Sequence, residues 1–191
     1  MNTIDARGLS CPQPVILTKK ALAENTGAEL TVLVDNETAA KNVKNLGDRL
    51  GHQPVISQLE KGTYAVVFAA ASGAGDGQKK EDAYVVVLSS QEMGTGDTAF
   101  GRKLMEGFLY ALTEQDHLPA YILCVNRGIA LTTENEKAIA DLKALEDKGV
   151  EVLSCGLCLE YYGLKEQLKV GQVTNMYRIC ELMTSYPTVR P

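Results

Sequence analysis

The sequence predicts an α/β protein built from two units: an N-terminal two-layer α/β sandwich and a C-terminal doubly wound domain. Three observations predict it. The first 71 residues alternate strand and helix patterns in the order β-α-β-α-β-β. A Gly-rich, charged stretch then interrupts all apolar periodicity from Ser72 to Asp82. Beyond it, continuous apolar runs such as Ala83–Ser89 take over, as in parallel strands buried on both faces.

The N-terminal elements follow from local pattern. Residues 2–6 read as a short strand, and Pro12 opens a helix to about Asn25, with Val15, Thr18 and Leu22 on one face and Gly27 as its stop. Glu29–Asp35 alternates Leu30, Val32 and Val34 inward, a half-buried strand. A second helix, about Glu37 to Leu50, carries Ala39, Val43, Leu46 and Leu50 at helical spacing and ends at Gly51. Gln53–Glu60 and Thr63–Ala71 form a hairpin around Lys61-Gly62. Residues 72–82 lack an apolar anchor and read as a flexible linker with a reach of about 17–20 Å. Domain boundaries are therefore expected at 1–71, 72–82 and 83–191.

In the C-terminal part, Ala83–Ser89, Ala120–Val125 and Val150–Ser154 are strands. Helices are expected at Thr98–Gln115, with Phe100, Leu104, Phe108 and Leu112 in register, and near Glu134–Lys148, Leu159–Leu168 and Thr174–Met183. A last short strand lies near Thr188–Arg190. The outline is that of a flavodoxin-like sheet.

Composition narrows the function. A chain of 191 residues with 45% hydrophobic content can bury a core, and its net charge of -5 lacks the clustered cations that bind nucleic acid or anionic membranes. The N-terminus has no signal-peptide pattern and no apolar run reaches bilayer length, so a cytoplasmic protein is expected. Five cysteines in a reducing compartment do not suggest a disulfide framework.

Cys11-Pro12-Gln13-Pro14 concentrates the chemistry. A cysteine at a helix start faces orphan N–H groups and a partial positive charge, which favour the thiolate that attacks persulfide or disulfide sulfur. Pro12 and Pro14 suit a first turn but have no N–H, so Gln13 N–H is expected to be the main donor to the sulfur. The plain alternative is a small N-cap residue in a proline-defined turn.

Asp5-Ala6-Arg7-Gly8-Leu9-Ser10-Cys11-Pro12-Gln13-Pro14 resembles the signature of the TusA/SirA sulfur carriers, and the likeness runs to the hairpin. It implies that Cys11 accepts a persulfide sulfur and passes it on. Asn42-Val43 stands where many single-domain carriers have an acidic residue followed by isoleucine, a departure that bears on partner recognition.

Cys155-Gly156-Leu157-Cys158 follows the third strand of the C-terminal part, where open α/β sheets place ligands. With Leu159-Glu160-Tyr161-Tyr162-Gly163, it resembles the DsrE/DsrF-like relay family, whose reactive cysteine lies in the loop after that strand. The combination resembles the YedF-type proteins of sulfur and selenium metabolism. That resemblance implies a cysteine desulfurase or other sulfur or selenium donor, and an acceptor such as a selenophosphate synthetase or a sulfur-relay protein. It also implies a homo-oligomer formed through the C-terminal domain.

From the residues alone, Cys155 and Cys158 form either a redox dithiol or a buried thiol beside a loop thiol. A binding or assembly module without chemistry is a third reading. Zinc would need further ligands, and the only histidines are His52 and His117, so no metal is expected. Cys124 and Cys180 fall on apolar patterns and are expected in the core. Met93-Gly94-Thr95-Gly96-Asp97-Thr98-Ala99 superficially matches a dinucleotide loop, yet Val125-Asn126-Arg127 ends the next strand without an acid for a ribose. No cofactor is expected. Gly94 and Gly96, with Arg102 and Arg127, are either a weak anion site or a structural turn with solvated cations.

Overall fold

In a computed structural model of the chain, residues 2–10, 12–24, 28–60, 62–70 and 83–191 are described. Cys11, the helix stop at Gly27, the turn residue Lys61 and the segment 72–82 lie outside them. The chain divides into two compact units, Met1–Lys79 and Lys80–Pro191, each with its own sheet.

The first unit runs β1 (Asn2–Asp5), α1 (Gln13–Glu24), β2 (Leu30–Val34), α2 (Glu37–Arg49), β3 (Val55–Glu60) and β4 (Thr63–Phe68). The sheet order is β1-β2-β4-β3, with β1 parallel to β2 and both hairpin strands antiparallel to their neighbours. Alternation along β2 buries Leu30, Val32 and Val34, and β4 adds Ala65, Val66 and Phe68. From α1 come Val15 and Thr18, and from α2 Ala40, Val43 and Leu46. The inward stripe of α2 thus runs through Ala40, whereas Ala39 and Leu50 stay half-buried. Asn36 caps α2 by accepting the Ala39 N–H at 2.8 Å.

The second unit contains β5 (Val85–Leu88), α3 (Thr98–Thr113), β6 (Tyr121–Cys124), α4 (Ala130–Thr133), α5 (Glu136–Asp147), β7 (Glu151–Cys155), α6 (Gly156–Tyr161), β8 (Gln172–Thr174), α7 (Met176–Ser185) and β9 (Thr188–Val189). All its strand pairs are parallel, in the order β8-β7-β6-β5-β9. Both faces are covered. Val86, Leu88, Ile122, Cys124 and Val152 pack with Met105 and Leu109 of α3 and Leu142 and Leu145 of α5. The alternate residues Val85, Val87, Leu123, Leu153 and Cys155 pack with Ile179 and Leu182 of α7. This is why those strands read as continuous apolar runs.

The doubly covered parallel sheet agrees with the sequence pattern; the strand order is a correction. A flavodoxin-like sheet reverses after its second strand. Here four strands advance in one direction, and only β9 returns, to the free edge of β5. The departure is already present in β7-β6-β5-β9, and β8 extends it as a three-residue strand that shares only Thr174 with the helix expected near Thr174–Met183.

Two further expectations change. The buried stripe of α3 is Gly101, Met105, Leu109 and Leu112, while Phe100 is 60% exposed and Leu104 40% exposed. Both stripes have helical spacing, so periodicity alone does not choose between them. Cys180 is exposed, because α7 buries Ile179 and Leu182 instead. Among the described residues, no helix is long and apolar enough to cross a membrane.

Candidate functional site

The described residues flanking Cys11 form a tied loop between β1 and α1. Ala6 is fully buried and donates its N–H to Leu33 O at 2.8 Å, extending the β1–β2 pairing by one residue. Arg7 turns back onto Asp5 with two contacts, Nε to Oδ1 at 2.8 Å and a terminal guanidinium nitrogen to Oδ2 at 2.6 Å. That guanidinium, helped by the Arg7 N–H, draws the Asp5 carboxyl down to about 2. Gly8 takes φ +73°, a left-handed conformation suited to glycine, and donates its N–H to Asp35 Oδ2 at 2.7 Å. This bond, with a smaller contribution from Asn36 Nδ2 on Oδ1 at 2.9 Å, lowers the Asp35 pKa.

Helix α1 begins at Gln13 rather than Pro12. Its Gln13 N–H donates to Ser10 O at 2.9 Å and closes the turn; the donation to sulfur expected of it falls on Cys11, outside the described residues. Pro12 accepts from Ile16 N at 3.1 Å, and Pro14 O accepts from the buried Thr18 hydroxyl at 2.7 Å. Asp5 and Asp35 were missed by sequence reasoning. The available signal was an acid two residues before Arg7, and an Asp-Asn pair joining the end of β2 to the start of α2.

The second pair of cysteines is not in a loop. Cys155 is the last residue of β7 and the N-cap of α6, while Cys158 is the third residue of that helix. The cause is local: a buried strand end at Ser154-Cys155 passes directly into Gly156–Tyr161. Cys155 is 1% exposed, and burial pushes its thiol up to about 12. The Cys158 thiol adds to this rise, and the N–H groups of Cys158 and Leu157 oppose it only in part. Cys158 is half-buried and packs against both apolar clusters.

One backbone donor reaches Cys158: Asn126 N–H, 3.2 Å from Sγ. Asn126 sits at φ +50° just after β6, and its side-chain oxygen accepts the Tyr162 hydroxyl at 2.6 Å. Arg127 lies over the Tyr162 ring at 5.1 Å and pairs with Glu134 at 3.0 Å. Close approach sets this turn in place. A Cβ on Gly128 would stand 1.9 Å from Leu88 O, so only glycine lets it lie against the end of β5.

Arg102 and Arg127 line one cleft of about 510 Å³, but so do Glu106, Glu134 and Glu136. Arg102 pairs with Glu92 at 3.3 Å. Gly94 and Gly96 are not among the lining residues, and the start of α3 is capped by the Asp97 carboxylate, which accepts the Phe100 N–H at 2.8 Å. An anion there would meet that carboxylate. The fully buried Cys124 has its thiol pushed up to about 12 by burial, as befits a core residue. Among the described residues, no group of three or more His, Cys, Asp or Glu is placed to hold a metal ion.

Residues 2–69, which enclose the Cys-Pro-Gln-Pro segment and its tied loop, match the family model of the sulfurtransferase TusA. The chain belongs to the TusA family. A protein of Methanocaldococcus jannaschii provisionally named a sulfur carrier is 37% identical over 68 residues, 35% of this chain and 91% of that protein. The sulfur carrier protein TusA of Pseudomonas entomophila is 35% identical over 63 residues, 32% of this chain and 79% of that protein. A crystal structure of a SirA-like protein from Desulfitobacterium hafniense has 40% identity and a TM-score of 0.36, covering 38% of this chain and all of that one.

Proposed function

We propose that this protein is a cysteine-based sulfur carrier in which Cys11 accepts a sulfane sulfur as a persulfide and hands it on. The TusA match over residues 2–69 carries the reading, because it spans the Cys11-Pro12-Gln13-Pro14 segment and covers most of relatives named as sulfur carriers. The stretch before Cys11 is tied down by the Gly8–Asp35 bond and by the Asp5–Arg7 pair, which supports a role for this segment as a positioned site.

In this reading the donor is a cysteine desulfurase or a comparable source of sulfur or selenium. The acceptor is a selenophosphate synthetase or a sulfur-relay protein. Cys155 and Cys158 form a second relay site in a DsrE-like unit, which makes the whole a YedF-type, homo-oligomeric protein working in the cytoplasm.

The test is direct. The protein is incubated with a cysteine desulfurase and radiolabelled cysteine, and label released by dithiothreitol is counted. Wild type is expected to carry one releasable sulfur that Cys11→Ser loses; undiminished label in that variant would refute the assignment.

A further inference from the structure

Cys155 and Cys158 differ in ways that the members of a symmetric dithiol would not. Cys155 is the N-cap of α6 with extended backbone at φ -63°, ψ 115°, and Cys158 is the third helical residue. Cys155 makes no side-chain capping bond to that helix, and its thiol interacts directly with the Cys158 thiol one turn on. Cys158 packs against the cluster that contains Cys155, Leu153 and Ile179. Exposure separates them. Cys155 is closed in on the α7 side of the sheet, whereas Cys158 is half-buried beside the exposed Leu157 and Tyr161. The Asn126 N–H at 3.2 Å fixes the direction of the Cys158 sulfur, and the Tyr162 hydroxyl at 2.6 Å fixes Asn126 in turn.

We propose that the two residues divide one reaction: Cys158 receives a sulfane sulfur as a persulfide, and Cys155 then expels it as hydrosulfide by forming a disulfide with Cys158. The step balances. The Cys158 persulfide anion and the Cys155 thiol give the Cys155–Cys158 disulfide and one hydrosulfide ion. The Cys155 sulfur bonds to the inner sulfur of the persulfide, the bond between inner and outer sulfur breaks, and the Cys155 proton leaves on the outer sulfur. The sulfane sulfur is reduced and the two cysteine sulfurs are oxidised. An external dithiol then restores the pair by exchange. Cys155, held protonated by burial, is a poor receiver of incoming sulfur, yet it already carries the proton that the departing sulfide takes. The site would thus end a relay by releasing sulfide rather than storing persulfide. The proposal rests on the sulfur-carrier reading only for the origin of the sulfur.

The experiment uses the reduced full chain, wild type and Cys11→Ser, mixed with glutathione persulfide as the probe. Hydrosulfide is trapped with a fluorescent alkylating reagent, and peptides are mapped by mass spectrometry. In both proteins the Cys155–Cys158 disulfide is expected to form in step with the hydrosulfide released. Cys155→Ser and Cys155→Ala should lose the release and keep the added sulfur on Cys158, and Cys158→Ser should lose both. Hydrosulfide without the disulfide, unchanged release from the Cys155 variants, or the added sulfur found on Cys155 would overturn the proposal. If the Cys155 variants do not fold, the disulfide-to-sulfide ratio in wild type decides. Failure of the Cys11 reading is seen separately, as desulfurase label that Cys11→Ser leaves in place.

Discussion

Burial of Cys155 makes a quantitative prediction about its reactivity. With its thiol pushed up to about 12, only about one molecule in ten thousand carries the thiolate near pH 8, against about a quarter for an ordinary thiol of pKa about 8.5. That is a deficit of about three orders of magnitude in the reactive form. A more basic thiolate is also a stronger nucleophile, and a Brønsted slope of about 0.4–0.5 over that difference restores roughly a factor of 40. Ionisation alone therefore slows Cys155 by about 50- to 100-fold, and its 1% exposure slows it further. The assay is a time course of iodoacetamide modification, read peptide by peptide in the native chain and in the denatured chain as the ordinary-thiol control. The native rate at Cys155 should also climb about tenfold for each pH unit between about 8 and 11, since ionisation limits it throughout. A native rate within a few-fold of the denatured one, or a rate that levels off by about pH 9, would show that Cys155 is not held as a thiol.

Three other perturbations test the framework. Cys124, like Cys155, is held up near 12 from 9.0, so the folded state keeps its proton while the unfolded chain ionises; stability is full below about 9 and falls as pH rises towards 12. Each such thiol contributes up to about 1.4 kcal/mol of loss per pH unit in that window, so Cys124→Ala should make the alkaline slope in denaturant melts shallower by up to that amount, and an unchanged slope would count against it. Asp35→Asn removes the charge that accepts the Gly8 N–H at 2.7 Å and should loosen the loop before Cys11 by about 1 kcal/mol, read as faster amide exchange at Gly8. In the wild type the same tether should hold above the ordinary Asp value of 3.8 and fail as pH drops through the lowered one, so exchange insensitive to both changes contradicts it. Gly128→Ala places a methyl group 1.9 Å from Leu88 O and should cost about 3 kcal/mol or more, measured as a lower melting temperature; a neutral effect would mean that the turn carrying Asn126 shifts freely.

Strands and helices were most legible where one pattern had one solution. Leu30, Val32 and Val34 alternate, and alternation in a strand puts them on one face whatever surrounds it. Helix α3 shows the opposite case. Phe100, Leu104 and Phe108 recur at helical spacing as well as Met105, Leu109 and Leu112 do, yet the second row is buried in the core while Phe100 and Leu104 are exposed and Phe108 packs there only in part. Likewise Cys180 lies one residue from Ile179, and a rotation of one position separates core from surface. Strand β8 escaped notice because three residues, Gln172–Thr174, are too few to show a period.

The candidate site divides in the same way. The cysteine motifs, their spacing and the TusA likeness are properties of residue order, and order alone made Cys11, Cys155 and Cys158 worth attention. Partners distant in sequence were not legible. The Gly8–Asp35 bond joins residues 27 positions apart, and the Asn126–Cys158 bond joins residues 32 apart. Neither leaves a periodic trace. Sequence by itself therefore determined the types of the longer elements and the thiols available for chemistry, because propensity, proline and periodicity act over a few residues. The tertiary structure alone decided the strand order, which helix face is buried, and that Cys155 is closed in while Cys158 remains partly open. Those outcomes depend on surfaces that meet only when the sheet is assembled.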